Sequence, residues 1–239
     1  MPDQYVPGSS DAAVTYNSYL KIDEILKLQT PLSDGPEHDE LLFIVIHQTY
    51  ELWFKSLLHE MGQAQRTLES GDTHLSLGLL GRARTIMKTL VGQVDILETM
   101  TPLQFNTFRD RLDAASGFQS AQFRKIETLL GGRTQDQRGI WNSLLIYLAS
   151  RKHVAAPGEN AMDEMLINVY RNDPEAAMML ERLVDIDEGL QEWRYRHVKM
   201  VERTIGAKIG TGGSSGAAYL AGTLFKPVFP ELWRVRSRF

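Results

Sequence analysis

The chain has 239 residues, 43% of them hydrophobic, which is enough to bury a substantial core and, by length, favours one domain over residues 1–239. Its formal net charge is −4, from 26 basic and 30 acidic residues, so it offers no general attraction for a polyphosphate backbone, and no nucleic-acid partner is expected. There is no cysteine, which removes disulfides and every thiolate metal site and leaves histidine and carboxylate to hold any metal.

Residues 1–11 are polar, without the basic start and apolar stretch of a secretory signal, and no apolar run reaches the roughly 18 residues needed to span a bilayer. A cytoplasmic protein with no membrane contact is expected. Apolar residues recur at three- and four-residue spacing over most of the length, and alternating β-branched runs are few, so the chain reads as all-α.

A first helix is predicted over residues 14–29, stopping at Thr30-Pro31 because proline disfavours helical geometry in the residue before it. Ser33-Asp34-Gly35-Pro36 makes a turn. A long helix over 39–69 follows, with Phe43, Ile46, His47, Tyr50, Trp53, Phe54 and Leu57 on one stripe, and Gly71-Asp72 ends it. A third covers 75–99, giving three antiparallel helices, and Thr101 caps the next with Pro102 in its first position. Ser116-Gly117-Phe118-Gln119-Ser120 interrupts the pattern before a helix over 121–130 that ends at Gly131-Gly132. Shorter helices are predicted over 135–150 and 160–170. A second long one runs over 174–205, its stripe holding Leu183, Ile186, Leu190, Trp193, His197, Val201 and Thr204. The segment Gly210-Thr211-Gly212-Gly213-Ser214-Ser215-Gly216 is too glycine-rich for regular structure. It lacks the lysine of a P-loop and the GxGxxG spacing after a strand.

Two of the six histidines fall on apolar stripes. His38, His59, His74 and His153 sit among polar neighbours or in loops and read as surface residues. His47 and His197 lie on the apolar faces of the two long helices, where an imidazole needs a hydrogen-bond partner or a metal to offset its desolvation. One such histidine alone is most simply a satisfied core residue. Two of them, each near aromatic residues, suggest a lined cavity. Arg194, Arg196 and Arg203 lie within two helical turns of His197, where guanidiniums could pair with haem propionates, a solvated helix face being the alternative. Arg109, four residues after Phe105, presents the fork of donors that matches a carboxylate, and an ordinary salt bridge is its structural alternative.

Several stretches resemble signature segments of the tryptophan 2,3-dioxygenase family. They are Thr15-Tyr16-Asn17-Ser18-Tyr19-Leu20, His38-Asp39-Glu40-Leu41-Leu42-Phe43-Ile44, His47-Gln48-Thr49-Tyr50-Glu51-Leu52-Trp53 and Phe108-Arg109-Asp110. Further on come Ser116-Gly117-Phe118-Gln119-Ser120, Trp193-Arg194-Tyr195-Arg196-His197, the Gly210 to Gly216 run and Phe229-Pro230-Glu231-Leu232. They stand in family order over nearly the whole chain. The resemblance implies a helical bundle enclosing a haem pocket, one haem b per subunit, and oxidative cleavage of the indole C2–C3 bond of L-tryptophan by O2 to N-formylkynurenine. It implies that His197 is the axial ligand to haem iron and that His47 faces the indole nitrogen. Phe43 would pack on the indole, Arg109 would bind the carboxylate, Thr211 the amino-acid head group, and Ser116-Gly117 would line the oxygen side. Tyr16, Tyr19 and Leu20, within an N-terminal segment of about 30 residues, match residues that reach a neighbouring subunit's site, so a homotetramer is implied.

Two departures bear on the reaction. The family commonly has tyrosine where this chain has Phe105, so a hydroxyl beside Arg109 is missing, and the stretch between Gly132 and Asp185 is short. Mono-oxygenation of a tryptophan derivative is the alternative these leave open. A non-catalytic haem-binding or purely structural helical protein is the alternative of a different class.

Overall fold

In the computed structural model, residues 13–35, 37–113, 115, 117–133, 136–208, 210 and 217–239 are described. Every regular element among them is helical, as the three- and four-residue spacing dictates. No helix among the described residues is long and apolar enough to cross a membrane.

Three long helices form the frame. Helix α3 (His38–Glu69) and helix α4 (Thr73–Leu97) follow the short α1 (Tyr16–Leu20) and α2 (Ile22–Ile25), and α9 (Pro174–Ile205) matches its predicted span. Asp72 caps α4 by accepting from Leu75 N at 3.0 Å, so the turn after Gly71 converts one helix into the next within four residues. The hairpin is antiparallel, since Arg82 pairs with Glu60 at 2.9 Å and Thr49 bonds Gln93 at 2.7 Å. Helix α9 runs parallel to α4, with Arg84–Asp185 at 3.3 Å and Arg196–Asp95 at 2.5 Å marking a constant register. Consequently α3 and α9, which carry the two stripe histidines, point in opposite directions.

The remaining elements close the core. Helix α5 (Pro102–Phe108) starts at Thr101 with the predicted capping box, Thr101 and Gln104 exchanging side-chain and backbone bonds. Helix α6 (Ala121–Gly131), α7 (Ile140–Ser150) and α8 (Ala161–Asn172) pack on α3 and α9, and α10 (Ala217–Ala221) and α11 (Pro230–Arg234) follow. The main core gathers Leu57, Leu80, Leu90, Leu144, Leu148, Leu180 and Leu183 from four of these helices. A second, smaller cluster joins Ile46, Leu97, Met100, Phe105 and Phe108 where α3, α4 and α5 meet.

Several predicted spans need correction. The helix expected over 14–29 is two short pieces, because Lys21 adopts a left-handed conformation (φ 56°) that closes α1 and opens α2. Neither piece buries a residue in this chain, so no packing offsets the cost of nucleating a helix there. The set of three antiparallel helices therefore reduces to the α3–α4 pair. The helix expected from 135 begins at Ile140, since Arg133 and Arg138 form an isolated bridge that turns the chain first. A Cβ on Gly132 would collide with the Gln137 and Thr128 carbonyl oxygens, which is why glycine stands at that turn. Trp53 is 39% exposed, at the edge of the stripe rather than within it.

His153 is not a surface residue. Its side chain is 11% exposed and its Nε2 lies 3.1 Å from Asp173, which also holds Arg151 at 2.7 Å and caps α9 through Ala176 N. The Arg151 guanidinium, first of several partners, pulls the Asp173 carboxyl well below the usual carboxylate range.

Candidate active site

His47 sits one turn after Phe43 on α3, and that spacing brings the two rings together at 4.1 Å with a 37° tilt. The imidazole Nδ1 lies 2.7 Å from the Phe43 carbonyl oxygen, so it carries the proton and leaves Nε2 as the free nitrogen. Burial lowers the proton affinity of His47, partly offset by that carbonyl and by the negative charge of Glu51 one turn on. Phe43 continues into an aromatic cluster, 5.8 Å from Phe105 and 5.6 Å from Phe108.

His197 is the counterpart on α9. Trp193, one turn earlier, stacks on it with centroids 5.0 Å apart and planes 14° from parallel. Burial, helped by the nearby His47, pushes His197 down to about 4, so its ring is neutral at physiological pH. That influence means that the two imidazoles lie near each other although their helices run in opposite directions. Trp193 is itself held between Tyr50 at 6.4 Å and Phe123 at 4.9 Å. Its indole Nε1 is buried without a hydrogen-bond partner.

The other expected site residues are distributed around this pair. Phe105 is buried, 6% exposed, in the smaller cluster, and Arg109 is half-buried where α5 passes into the 3-10 turn Arg109–Leu112. Gly117 opens the 3-10 turn Gly117–Gln119 and is exposed. Ser116 and Thr211 lie outside the described residues, as does the glycine-rich run apart from Gly210. Tyr16, Tyr19 and Leu20 are 77%, 75% and 43% exposed on α1, away from this chain's own histidines in contact terms.

The arginines near His197 are engaged elsewhere. Arg194 reaches Glu127 at 3.4 Å and the Lys226 carbonyl at 3.1 Å, Arg196 reaches Asp95 and Glu98, and Arg203 lies 3.7 Å from Glu98. They brace α9 against its neighbours, so the expected pairing with haem propionates finds no support in their contacts. Two surface cavities, of about 360 and 600 Å³, lie beside Arg194 and between α3 and α6, and neither is lined by His47 or His197. The expectation of an enclosed space therefore rests on the burial of the two rings.

Two further residues join the site that the sequence did not single out for a role. Gln122 at the start of α6 donates to both the Glu51 carbonyl and its Oε2, each at 2.8 Å. The four-residue spacing of His47 and Glu51 could have placed the latter on the same face. Nothing local could have found Gln122, because its partner is 71 residues away.

Fold and site together define an all-α protein that carries two partly buried histidines, one on each of two antiparallel helices, each set against an aromatic ring. Comparison with known proteins gives this class a family. The profile described as tryptophan 2,3-dioxygenase matches residues 3–150 and 148–239. The tryptophan 2,3-dioxygenase of Herpetosiphon aurantiacus is 53% identical over 257 residues, covering 94% of this chain and 98% of that protein. That of Anaeromyxobacter sp. is 51% identical, covering 97% and 98%, and that of Caulobacter vibrioides 40% identical, covering 94% and 98%. The chain belongs to the tryptophan 2,3-dioxygenase family. The alignments exceed its 239 residues, so relatives hold residues that it lacks, and the profile match breaks at 148–150, inside the stretch read as short.

Proposed function

We propose that this chain is a haem-dependent dioxygenase that cleaves the indole C2–C3 bond of L-tryptophan with O2 to give N-formylkynurenine. The observation that carries the reading is the pair of desolvated, neutral imidazoles at His47 and His197, each backed by an aromatic ring one helical turn before it, with His47 near enough to act on His197. A neutral imidazole is the form that ligates a metal. Among the described residues no three metal-binding side chains converge, whereas a haem brings four of its own ligands and asks the protein for one. The residues present thus fit haem b, which His197 would hold. Bound there, the haem would supply the activation of O2.

The protein's part is binding and orientation. Burying an indole-sized aromatic of about 150–250 Å² at about 25 cal/mol per Å² is worth roughly 4–6 kcal/mol before ordering costs, and Phe43 provides apolar surface for it. Apolar packing does not fix direction. A charge-assisted pair between Arg109 and the substrate carboxylate, worth about 1.5–3 kcal/mol, would set which end of the amino acid points away from the iron. In this reading Thr211 contacts the head group, Ser116 and Gly117 line the oxygen side, and His47 offers its free Nε2 to the indole N–H. Tyr16, Tyr19 and Leu20, exposed in the single chain, would be covered by a neighbouring subunit's site in a homotetramer.

Product formed from L-tryptophan under 18O2 tests the reaction, with two labelled atoms expected. A single labelled atom would overturn it in favour of mono-oxygenation, the reading that Phe105 favours. The His197→Ala chain should take up no stable haem, and an unchanged Soret band would exclude His197 as the axial ligand.

A further inference from the structure

The first turn of α6 touches both histidine-bearing helices. Ser120 caps it, accepting from Phe123 N at 3.0 Å, and the next side chains reach in two directions. Phe123 packs against Phe54 at 5.5 Å and Trp193 at 4.9 Å, which reaches the turn of α9 just before His197. Gln122 reaches the turn of α3 just after His47, placing both amide hydrogens on Glu51, one on the carbonyl and one on Oε2. Stacked rings can slide, whereas a carboxamide with both donors engaged fixes a distance and a direction. Directly before this turn lies the Gly117–Gln119 segment.

We infer that Gln122 is a positioning residue for the oxygen side of the pocket: clamped to Glu51, it sets how closely the Gly117–Ser120 segment stands against the His47 turn of α3. The inference rests on the functional reading above for the phrase "oxygen side", and on the two hydrogen bonds for the clamp. Without the clamp α6 keeps its apolar seat through Phe123, so the fold survives while the segment before it loses its registration. Access of O2 and retention of O2 should then change more than tryptophan binding does.

The test uses the full-length chain with Gln122→Glu, which sets carboxylate against carboxylate, and the exchanged pair Glu51→Gln with Gln122→Glu, which restores a side-chain hydrogen bond with the roles reversed. In haem-free protein, amide hydrogen exchange over residues 115–121 should quicken about tenfold in the single variant, with α4 and α9 unchanged, and return towards the parent in the exchanged pair. In haem-loaded protein the KM for O2 should rise about three- to tenfold while haem content and the KM for tryptophan stay as they were. Exchange rates equal to the parent, or an exchanged pair that behaves like the single variant, would overturn the clamp. An unchanged KM for O2 would overturn its role in oxygen handling. A parent chain that takes up no haem would remove the functional reading, and the oxygen-side role with it, while the exchange data still decide the clamp.

Discussion

Phe105 stands where the family resemblance leads one to expect a tyrosine. It is buried against Phe43 and Phe108, one helical turn before Arg109, so it belongs to the apolar wall at the spacing that puts it on the same face as the arginine assigned to the carboxylate. A hydroxyl there would add one hydrogen bond of about 0.5–1.5 kcal/mol, which corresponds to roughly two- to twelvefold in affinity. Phe105→Tyr should therefore lower the KM for tryptophan by about that factor and leave tryptamine, which lacks the carboxylate, unchanged. Equal effects on the two substrates would place the ring away from the head group. That His47 and His197 lie among packed aromatic rings was legible in the sequence because an imidazole on an apolar helical stripe is conspicuous. The tilt of one and the stacking of the other were not, since both depend on neighbours one turn away adopting particular rotamers.

Element by element, legibility followed length. The long helices α3 and α9 repeat their apolar stripe over some nine turns, and the expected spans agree with the observed ones within a residue. The 14–29 segment carries a similar spacing but its two helical pieces bury no residue, so little packing opposes the break at Lys21. Where α9 begins, Asp173 combines an N-cap with an ion pair to Arg151 and a hydrogen bond to His153, residues that the sequence left in two different connections. Its carboxyl is depressed in the folded chain, so the stability it contributes is present above the unfolded value near pH 4 and is lost as pH falls towards the depressed one. Asp173→Ala should cost at least about 1 kcal/mol at pH 7, the usual price of a lost N-cap. Chemical denaturation at pH 7 and pH 3 checks it, with the difference between parent and variant expected to shrink in acid.

For the molecule as a whole, α9 is the element on which both core and site depend, and Asp187 is where the C-terminal segment is fastened to it. Its carboxylate is fully buried and accepts from Val228 N, Phe229 N, Trp233 Nε1 and Gln191 Nε2 at 2.9–3.1 Å, while the Arg133 guanidinium feels its charge. Asp187→Ala would orphan several of these donors at about 1–3 kcal/mol each, so a loss of at least roughly 3 kcal/mol is expected, read as a lowered Tm. A loss below 1 kcal/mol would show that water replaces the carboxylate without strain.

The same fastening imposes an order on biosynthesis. A chain leaving the ribosome presents Asp187 some forty residues before three of the four donors that satisfy it, so the carboxylate keeps its water until residues 228–233 arrive. The helix bearing His197 therefore gains its final seating only after residues 228–233 have emerged.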